Sequence, residues 1–121
     1  TDATSTATVE ASATTVITSG SVTYDGSTVV KIRVFAANWS NGNINSAAIL
    51  NIWEDATDLG RAARNDGDSN AGDAPLVAEV YRTPAAGAHV YTARLWGGAG
   101  TKTVTCSSPY VAASIEITKV S

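Results

Sequence analysis

The stretch Thr28–Ala37 constrains the fold more than any other part of the chain, because apolar and polar side chains alternate along it. One face carries four apolar residues: Val30, Ile32, Val34 and Ala36. The opposite face carries two cations and one aromatic ring: Lys31, Arg33 and Phe35. A period of two is that of a β-strand with one face on the core. Nowhere do ten or more residues follow a helical period convincingly, so we expect an all-β fold.

Other runs rich in apolar and β-branched residues predict the remaining strands. They are Thr8–Thr18, Ser21–Tyr24, Ala47–Asp55, Thr57–Arg61, Leu76–Arg82, His89–Trp96, Thr101–Cys106 and Ser114–Val120. Turn residues separate these runs at short intervals. Short strands with turns this frequent predict an antiparallel β-sandwich or jelly roll.

A tight turn at Asp25-Gly26 is the first signal for strand pairing. An Asp-Gly pair between β-branched runs is among the strongest local hairpin signals. It therefore predicts a hairpin that joins Ser21–Tyr24 to Thr28–Ala37.

The segment Thr83–Thr92 gives the second pairing signal. Pro84 presets one backbone angle, and Gly87 can take the positive φ that a short hairpin often requires. We therefore expect Leu76–Arg82 and His89–Trp96 to form a hairpin across this segment.

Length and composition bound the class of protein. The 121 residues are enough for one domain, with residues 1–8 expected as a flexible leader or docking arm and residues 9–121 as the β-sandwich. A net charge of −3 with scattered Lys and Arg argues against nucleic-acid binding. No apolar run approaches the roughly 20 residues of a membrane span, so membrane insertion is not expected.

Candidates for catalysis are few. His89 is the only histidine and Cys106 the only cysteine, so an intrachain disulfide is impossible. No Gly-x-Ser-x-Gly motif frames a serine nucleophile. We expect His89 to be a structural imidazole beside a turn and Cys106 a small, half-buried residue. The chain is thus expected to be non-enzymatic, with no catalytic residue and no cofactor.

The polar stretch Arg64–Pro75 begins like a calcium-binding loop. Oxygen-bearing side chains recur at Asp66, Asp68, Asn70 and Asp73, which makes these the candidate calcium ligands. The pattern then departs from the motif, because Ala71 replaces the sharp-turn glycine and Val77 the bidentate glutamate. The alternative is a solvated loop without metal, and we do not expect a regular metal site.

A second loop, Asn38–Ser46, places Trp39 where a loop would expose it. An exposed aromatic ring can pack on the C–H face of a sugar, although aromatic residues in small β-proteins more often belong to the core or to a subunit interface. The candidate binding residues of the two loops are Trp39, Asn38, Asn41, Asp66 and Asp68.

The order of the segments resembles small domains of tailed-phage virion proteins, such as minor tail and tail-fibre proteins of phages of actinobacteria. The segments that carry the resemblance are Ser19–Gly26, Leu50–Arg61, Thr83–Tyr91 and Ser114–Val120. The resemblance implies a TNF-like jelly roll that assembles as a homotrimer on the virion surface. Apolar residues on both faces of Ala47–Asp55 agree with a trimer, since Ile49 and Trp53 lie opposite Leu50 and Ile52.

The functional expectation follows from this resemblance. The leading hypothesis is a non-enzymatic tail-fibre or tail-tip domain that contacts the host surface, with itself, other virion proteins and a host glycan as partners. The first alternative is a capsid decoration protein that binds the outer face of the shell. The second alternative is a carbohydrate-binding module of a secreted enzyme.

Overall fold

The computed structural model describes residues 2–42, 46–66, 73–106 and 109–121. Within these residues, the regular structure is β apart from one 3-10 turn, Glu10–Ser12. The described strands are β1 (Ala3–Ser5), β2 (Thr14–Thr18), β3 (Val22–Tyr24), β4 (Val30–Ser40), β5 (Ala47–Glu54), β6 (Thr57–Asp66), β7 (Asp73–Arg82), β8 (Gly87–His89), β9 (Tyr91–Gly97), β10 (Lys102–Val104) and β11 (Ser114–Lys119). The prediction of an all-β fold is confirmed.

The strands pair as one nested antiparallel ribbon. At its tip, β5 and β6 form a hairpin across Asp55-Ala56, where Asp55 takes a positive φ of 51°. Away from this tip, β4 pairs with β7, β3 with β8, β2 with β9 and β1 with β10, always antiparallel. The chain therefore runs out to the tip and returns alongside itself.

This ribbon is folded into two sheets. The first sheet has the order β1-β10-β4-β7, and the second has the order β2-β9-β5-β6. In the first sheet, β7 pairs along one edge of β4. The other edge of β4 is shared by β11, over Val30–Phe35, and by β10, over Trp39–Ser40. The short pair β3–β8 forms a third, two-stranded sheet.

The inner faces of the two main sheets meet in one core. The alternation in β4 is confirmed, because its four apolar positions are at most 2% exposed while the opposite face is half-buried. Residues of β5, β7 and β9 complete the core: Ala48, Leu50, Ile52, Leu76, Ala78, Tyr91, Ala93 and Leu95. Burying one such aliphatic side chain stabilises the fold by roughly 1.5–3 kcal/mol. The arrangement is that of a β-sandwich.

Both predicted hairpins are wrong. The segment after β7 does not return beside it, because β7 lies in the first sheet and β9 in the second. Thr83–Val90 is therefore a crossover between sheets that carries the short strand β8. Likewise, Asp25-Gly26 turns the chain, but β3 pairs with β8 and not with β4. Local turn residues set the reversal of the chain, and they do not determine the sheet that the next strand joins.

The predicted loose leader is also wrong for residues 3–5. They form β1, which pairs with β10 in the register Ala3↔Val104. The Ser5 hydroxyl is buried and donates to the carbonyl of Leu95 at 2.8 Å. The ammonium of Lys102 donates to the carbonyl of Ala7 at 3.0 Å. Part of the predicted leader is thus built into the sandwich.

Several boundaries differ from the sequence prediction. The predicted strand Thr8–Thr18 is shorter, since only Thr14–Thr18 form β2 and the 3-10 turn Glu10–Ser12 precedes it. The predicted loop Asn38–Ser46 begins later, because β4 continues to Ser40. The predicted loop Arg64–Pro75 is shorter, since β6 extends to Asp66 and β7 begins at Asp73.

Candidate functional site

The residues predicted to form an exposed sugar platform do not form one. Trp39 is only 2% exposed, because it lies on β4 and joins the core. Asn41 is fully buried, and Asn38 is half-buried with its amide donating to the hydroxyl of Thr105 at 3.3 Å. The prediction that Trp39 is exposed is therefore wrong. Because the predicted binding site in this loop depended on an exposed ring, the argument for a site there no longer holds.

The candidate calcium ligands fall partly outside the described residues, since Asp68 and Asn70 lie there. Asp66 forms an ion pair with Arg64 at 2.8 Å, and the amide of Asn38 lies 3.4 Å from the carboxylate of Asp73. No group of three or more metal-ligating side chains occurs in the part of the chain that the structure describes. The calcium candidate remains a sequence-based hypothesis.

His89 has a structural environment. Its Nδ1 lies 2.6 Å from Oδ2 of Asp55, and its Nε2 lies 2.9 Å from the carbonyl oxygen of Ala85. The other oxygen of Asp55 accepts a hydrogen bond from the backbone N–H of Val90. The ring thus ties the crossover to the tip of the ribbon. Both ring nitrogens have a hydrogen-bond partner in this arrangement.

A buried polar cluster joins the two sheets. Glu54 on β5 accepts two hydrogen bonds from Arg82 on β7, at 2.9 and 3.1 Å. It also accepts a hydrogen bond from the hydroxyl of Tyr91 at 2.6 Å. The bonds from Arg82 hold the pKa of Glu54 below its usual value. Burial, followed by the bond to Glu54, raises the pKa of Tyr91. This cluster was not predicted, because its members are far apart in sequence.

The outer face of the second sheet is covered by the chain itself. The guanidinium of Arg94 lies 4.1 Å from the ring centre of Trp53, and that of Arg61 lies 4.9 Å from Trp96. Such cation–π contacts cover aromatic rings while leaving the charge hydrated. Trp53 is 9% exposed and Ile49 only 5%. Ile49 and Trp53 are therefore buried within the single chain, and their burial does not bear on the predicted trimer.

The outer face of the first sheet is less covered. Val77 is 50% exposed and Tyr81 63% exposed, both on β7. The register places Phe35 opposite Val77 and Lys31 opposite Tyr81. Lys31 forms an ion pair with Glu79 at 3.3 Å. This surface, called here the β7 face, combines exposed apolar side chains with charges of both signs.

A recess of about 340 Å³ opens where β3, the Asp25 turn, the start of β4 and the end of β11 meet. Four of its lining residues are apolar or aromatic and four are polar: Val22, Tyr24, Val30, Ile117, Thr23, Asp25, Thr28 and Lys119. Ligand sites are typically recesses of about 300–1,000 Å³ with an apolar lining and few polar groups. This recess is the candidate functional site.

Asp25 is a preorganised acceptor at the recess. Its Oδ1 accepts the backbone N–H groups of Ser27 and Thr28 at 2.8 and 2.9 Å, and the hydroxyl of Thr28 at 3.0 Å. These bonds, led by the one from Ser27, lower the pKa of Asp25 to about 2. The carboxylate is therefore ionised at neutral pH. The hydroxyl of Ser27 is a further hydrogen-bond partner of this carboxylate.

Lys119 supplies the opposite charge. It lies on β11 in register with Val30, a position on the core side of the sheet, yet the residue is exposed at the open edge. It forms none of the ion pairs found among the described residues. The one feature of the sequence that could have indicated this recess is the charged Lys119 at an inward-facing position of an edge strand. Sequence reasoning missed it because the neighbouring β3 could not be placed.

Comparisons with family models, with curated proteins and with solved structures found no match for this chain. Among the described residues, none of the helical structure is long and apolar enough to cross a membrane.

Proposed function

We propose that this chain is a non-enzymatic structural protein of a tailed-phage virion, a trimeric jelly-roll domain at the surface of a tail fibre or tail tip that contacts the host. The observation that supports the jelly-roll part of the proposal is the nested pairing of the strands. In a jelly roll, an antiparallel ribbon of eight strands is wrapped into two sheets, so that the first strand pairs with the last. The pairs β1–β10, β2–β9, β4–β7 and β5–β6 follow this connectivity.

Two surfaces support a role in assembly and contact. The β7 face offers Val77 and Tyr81 for burial between copies of the chain, next to the ion pair of Lys31 and Glu79. Exposed apolar side chains bordered by charges are typical of interaction surfaces. The recess beside Asp25 offers a separate place for contact with the host. A fold alone does not define a function, so these surfaces carry the functional part of the proposal.

Immunogold electron microscopy tests the location. Antibodies raised against the purified chain should label the tail fibre or tail tip of phage particles that encode it. Labelling spread over the shell would overturn the tail location and favour a capsid decoration protein. An absence of label from intact particles, with label on a secreted hydrolase, would favour the carbohydrate-binding module.

Cell binding tests the host contact. The fluorescently labelled chain should bind saturably to a subset of actinobacterial cells, and an excess of unlabelled chain should compete. Saturable binding supports host contact. If no strain in a broad panel binds the labelled chain while antibodies label the tail, the domain is structural only and the host-contact part is wrong.

A further inference from the structure

The recess combines an apolar floor with a polar rim of balanced charge. Val30 is 2% exposed at its base, Val22 is 46% exposed at its side, and Ile117 is half-buried on β11. Asp25 and Lys119 are both among its lining residues, so that one acidic and one basic side chain border the same recess. We propose that this recess binds one pyranose ring of a neutral, N-acetylated sugar. The inference rests on the proposed function, because it names the ligand class for host contact.

The balance of charge excludes several ligand classes. A phosphate or a polyanion would meet Lys119 together with the ionised Asp25, so it would gain little net attraction. A plain hydrocarbon would leave both charges without new partners. A neutral ligand with many hydroxyl groups can donate to Asp25 and accept from Lys119 at the same time.

The donors and acceptors at the rim fit sugar hydroxyls. The bonds from Ser27 and Thr28 hold the Asp25 carboxylate in place, so little ordering of this group is needed when a ligand hydroxyl donates to it. Hydrogen bonds to an ionised group are about twice as strong as neutral ones. The hydroxyl of Thr23 adds an adaptable partner, and that of Thr28, which donates to Asp25, can still accept a hydrogen bond.

The apolar side chains that line the recess favour N-acetylated sugars over plain sugars. Val22, Val30 and Ile117 present only methyl and methylene groups, which gain nothing from a sugar hydroxyl. An acetamido group carries a methyl that can cover these side chains, and its amide can reach the polar rim. The volume of about 340 Å³ lies at the lower end of the range for ligand sites, which suits a single ring.

Nuclear magnetic resonance titration tests the inference. The ¹⁵N-labelled chain is titrated with N-acetylglucosamine and N-acetylgalactosamine, and in parallel with glucose and galactose. We expect saturable shifts confined to residues 22–30 and 115–120 with at least one N-acetylated sugar, and at least tenfold weaker binding of the plain sugars. Equal binding of plain and N-acetylated sugars, or no saturable shift with any of them, overturns the inference.

Variants then locate the site. Val22→Trp should fill the recess and weaken binding at least tenfold, whereas Val9→Trp, at a position 58% exposed outside the recess, should leave it unchanged. If Val22→Trp fails to fold, Lys119→Gln and Asp25→Asn serve instead, and each should weaken binding several-fold. Binding that survives these substitutions in folded protein overturns the assignment to this recess.

The cell-binding assay separates this inference from the proposed function. If the chain binds cells but neither N-acetylated sugars nor Val22→Trp reduces that binding, the sugar inference is wrong and the host contact stands. If the titration shows the expected sugar binding but no cells bind, the host-contact proposal is wrong and the recess assignment stands.

Discussion

His89 shows how one side chain can connect two parts of the ribbon. Both ring nitrogens face groups that only accept hydrogen bonds, the Asp55 carboxylate and the Ala85 carbonyl. Only the doubly protonated imidazolium satisfies both. The bond to Asp55 is the main cause that raises the pKa of His89 above its usual 6.5. The bond from Val90, followed by His89, lowers the pKa of Asp55 below its usual 3.8.

These shifts predict a pH-dependent contribution to stability. Because the pKa of His89 is raised in the folded state, its contribution to the free energy of unfolding is complete below pH 6.5. This contribution is lost as the pH rises through the pKa of His89 in the folded protein. The contribution of Asp55 is present above pH 3.8 and is lost as pH falls through its lowered pKa. Urea denaturation should therefore show that His89→Asn lowers the free energy of unfolding more at about pH 5.5 than at about pH 9. Val111→Ala, a control at an exposed site, should show the same effect at both values, and a pH-independent loss for His89→Asn would contradict the prediction.

Glu54 should matter more to stability than an ion pair at the surface. Its carboxylate is buried and accepts bonds from Arg82 and Tyr91. Glu54→Gln removes the charge and should lower the free energy of unfolding by about 2 kcal/mol, measured by urea denaturation. Asp66→Asn breaks the exposed pair with Arg64 and should cost less than about 0.5 kcal/mol. Equal losses for the two variants would contradict a structural role for the Glu54 cluster.

At the scale of elements, β1 is the clearest departure from local expectation. Residues 1–8 are rich in Thr, Ser and Ala, a composition typical of a loose terminus. Residues 3–5 nevertheless lie in the sheet, through contacts with β9 and β10, which are about 90 to 100 residues further along the chain. No pattern within the segment itself specifies those partners.

Removal of residues 1–7 tests whether this segment is structural. The truncation deletes β1, the buried bond of Ser5 and the carbonyl of Ala7 that accepts from Lys102. We expect a loss of roughly 1–3 kcal/mol in the free energy of unfolding, measured by urea denaturation. The single variant Ser5→Ala should show a smaller loss in the same direction. Unchanged stability after truncation would restore the interpretation as a loose leader.

The predicted hairpins failed for a related reason. The turn at Asp55-Ala56 does join two paired strands, whereas the segments at Asp25-Gly26 and Thr83–Val90 carry the chain from one sheet to another. All three contain residues that favour chain reversal. The difference depends on which distant strand completes each sheet, and turn chemistry does not encode that choice.

At the scale of the molecule, the nested ribbon explains how the two sheets close. Each pair further from the tip joins residues more distant in sequence, and β1 and β10 close the outermost pair. Arginines lie over aromatic rings on the outer faces of both sheets, but Val77 and Tyr81 of the β7 face stay 50% and 63% exposed, unlike Trp53 and Ile49 of the second sheet. This asymmetry makes the β7 face the expected surface for assembly.

The trimer proposal predicts how lysine substitutions on the β7 face change the oligomeric state. The purified chain should sediment as a trimer at micromolar concentration, and the double variant Val77→Lys and Tyr81→Lys should sediment as a folded monomer. The control Val111→Lys with Val9→Lys, at positions 65% and 58% exposed outside that face, should remain trimeric. A monomeric wild-type chain would contradict the trimer, and a trimeric double variant would contradict its placement on the β7 face.

The sequence by itself determined the class of the fold and the inner and outer faces of β4. These features follow from the local alternation of apolar and polar residues. Only the tertiary structure decided that Trp39 is buried, that residues 3–5 belong to a sheet, and that Asp25 and Lys119 share a recess. Those features depend on pairing between strands far apart in sequence, because the free energy of burial is set by the neighbours that the whole chain brings together.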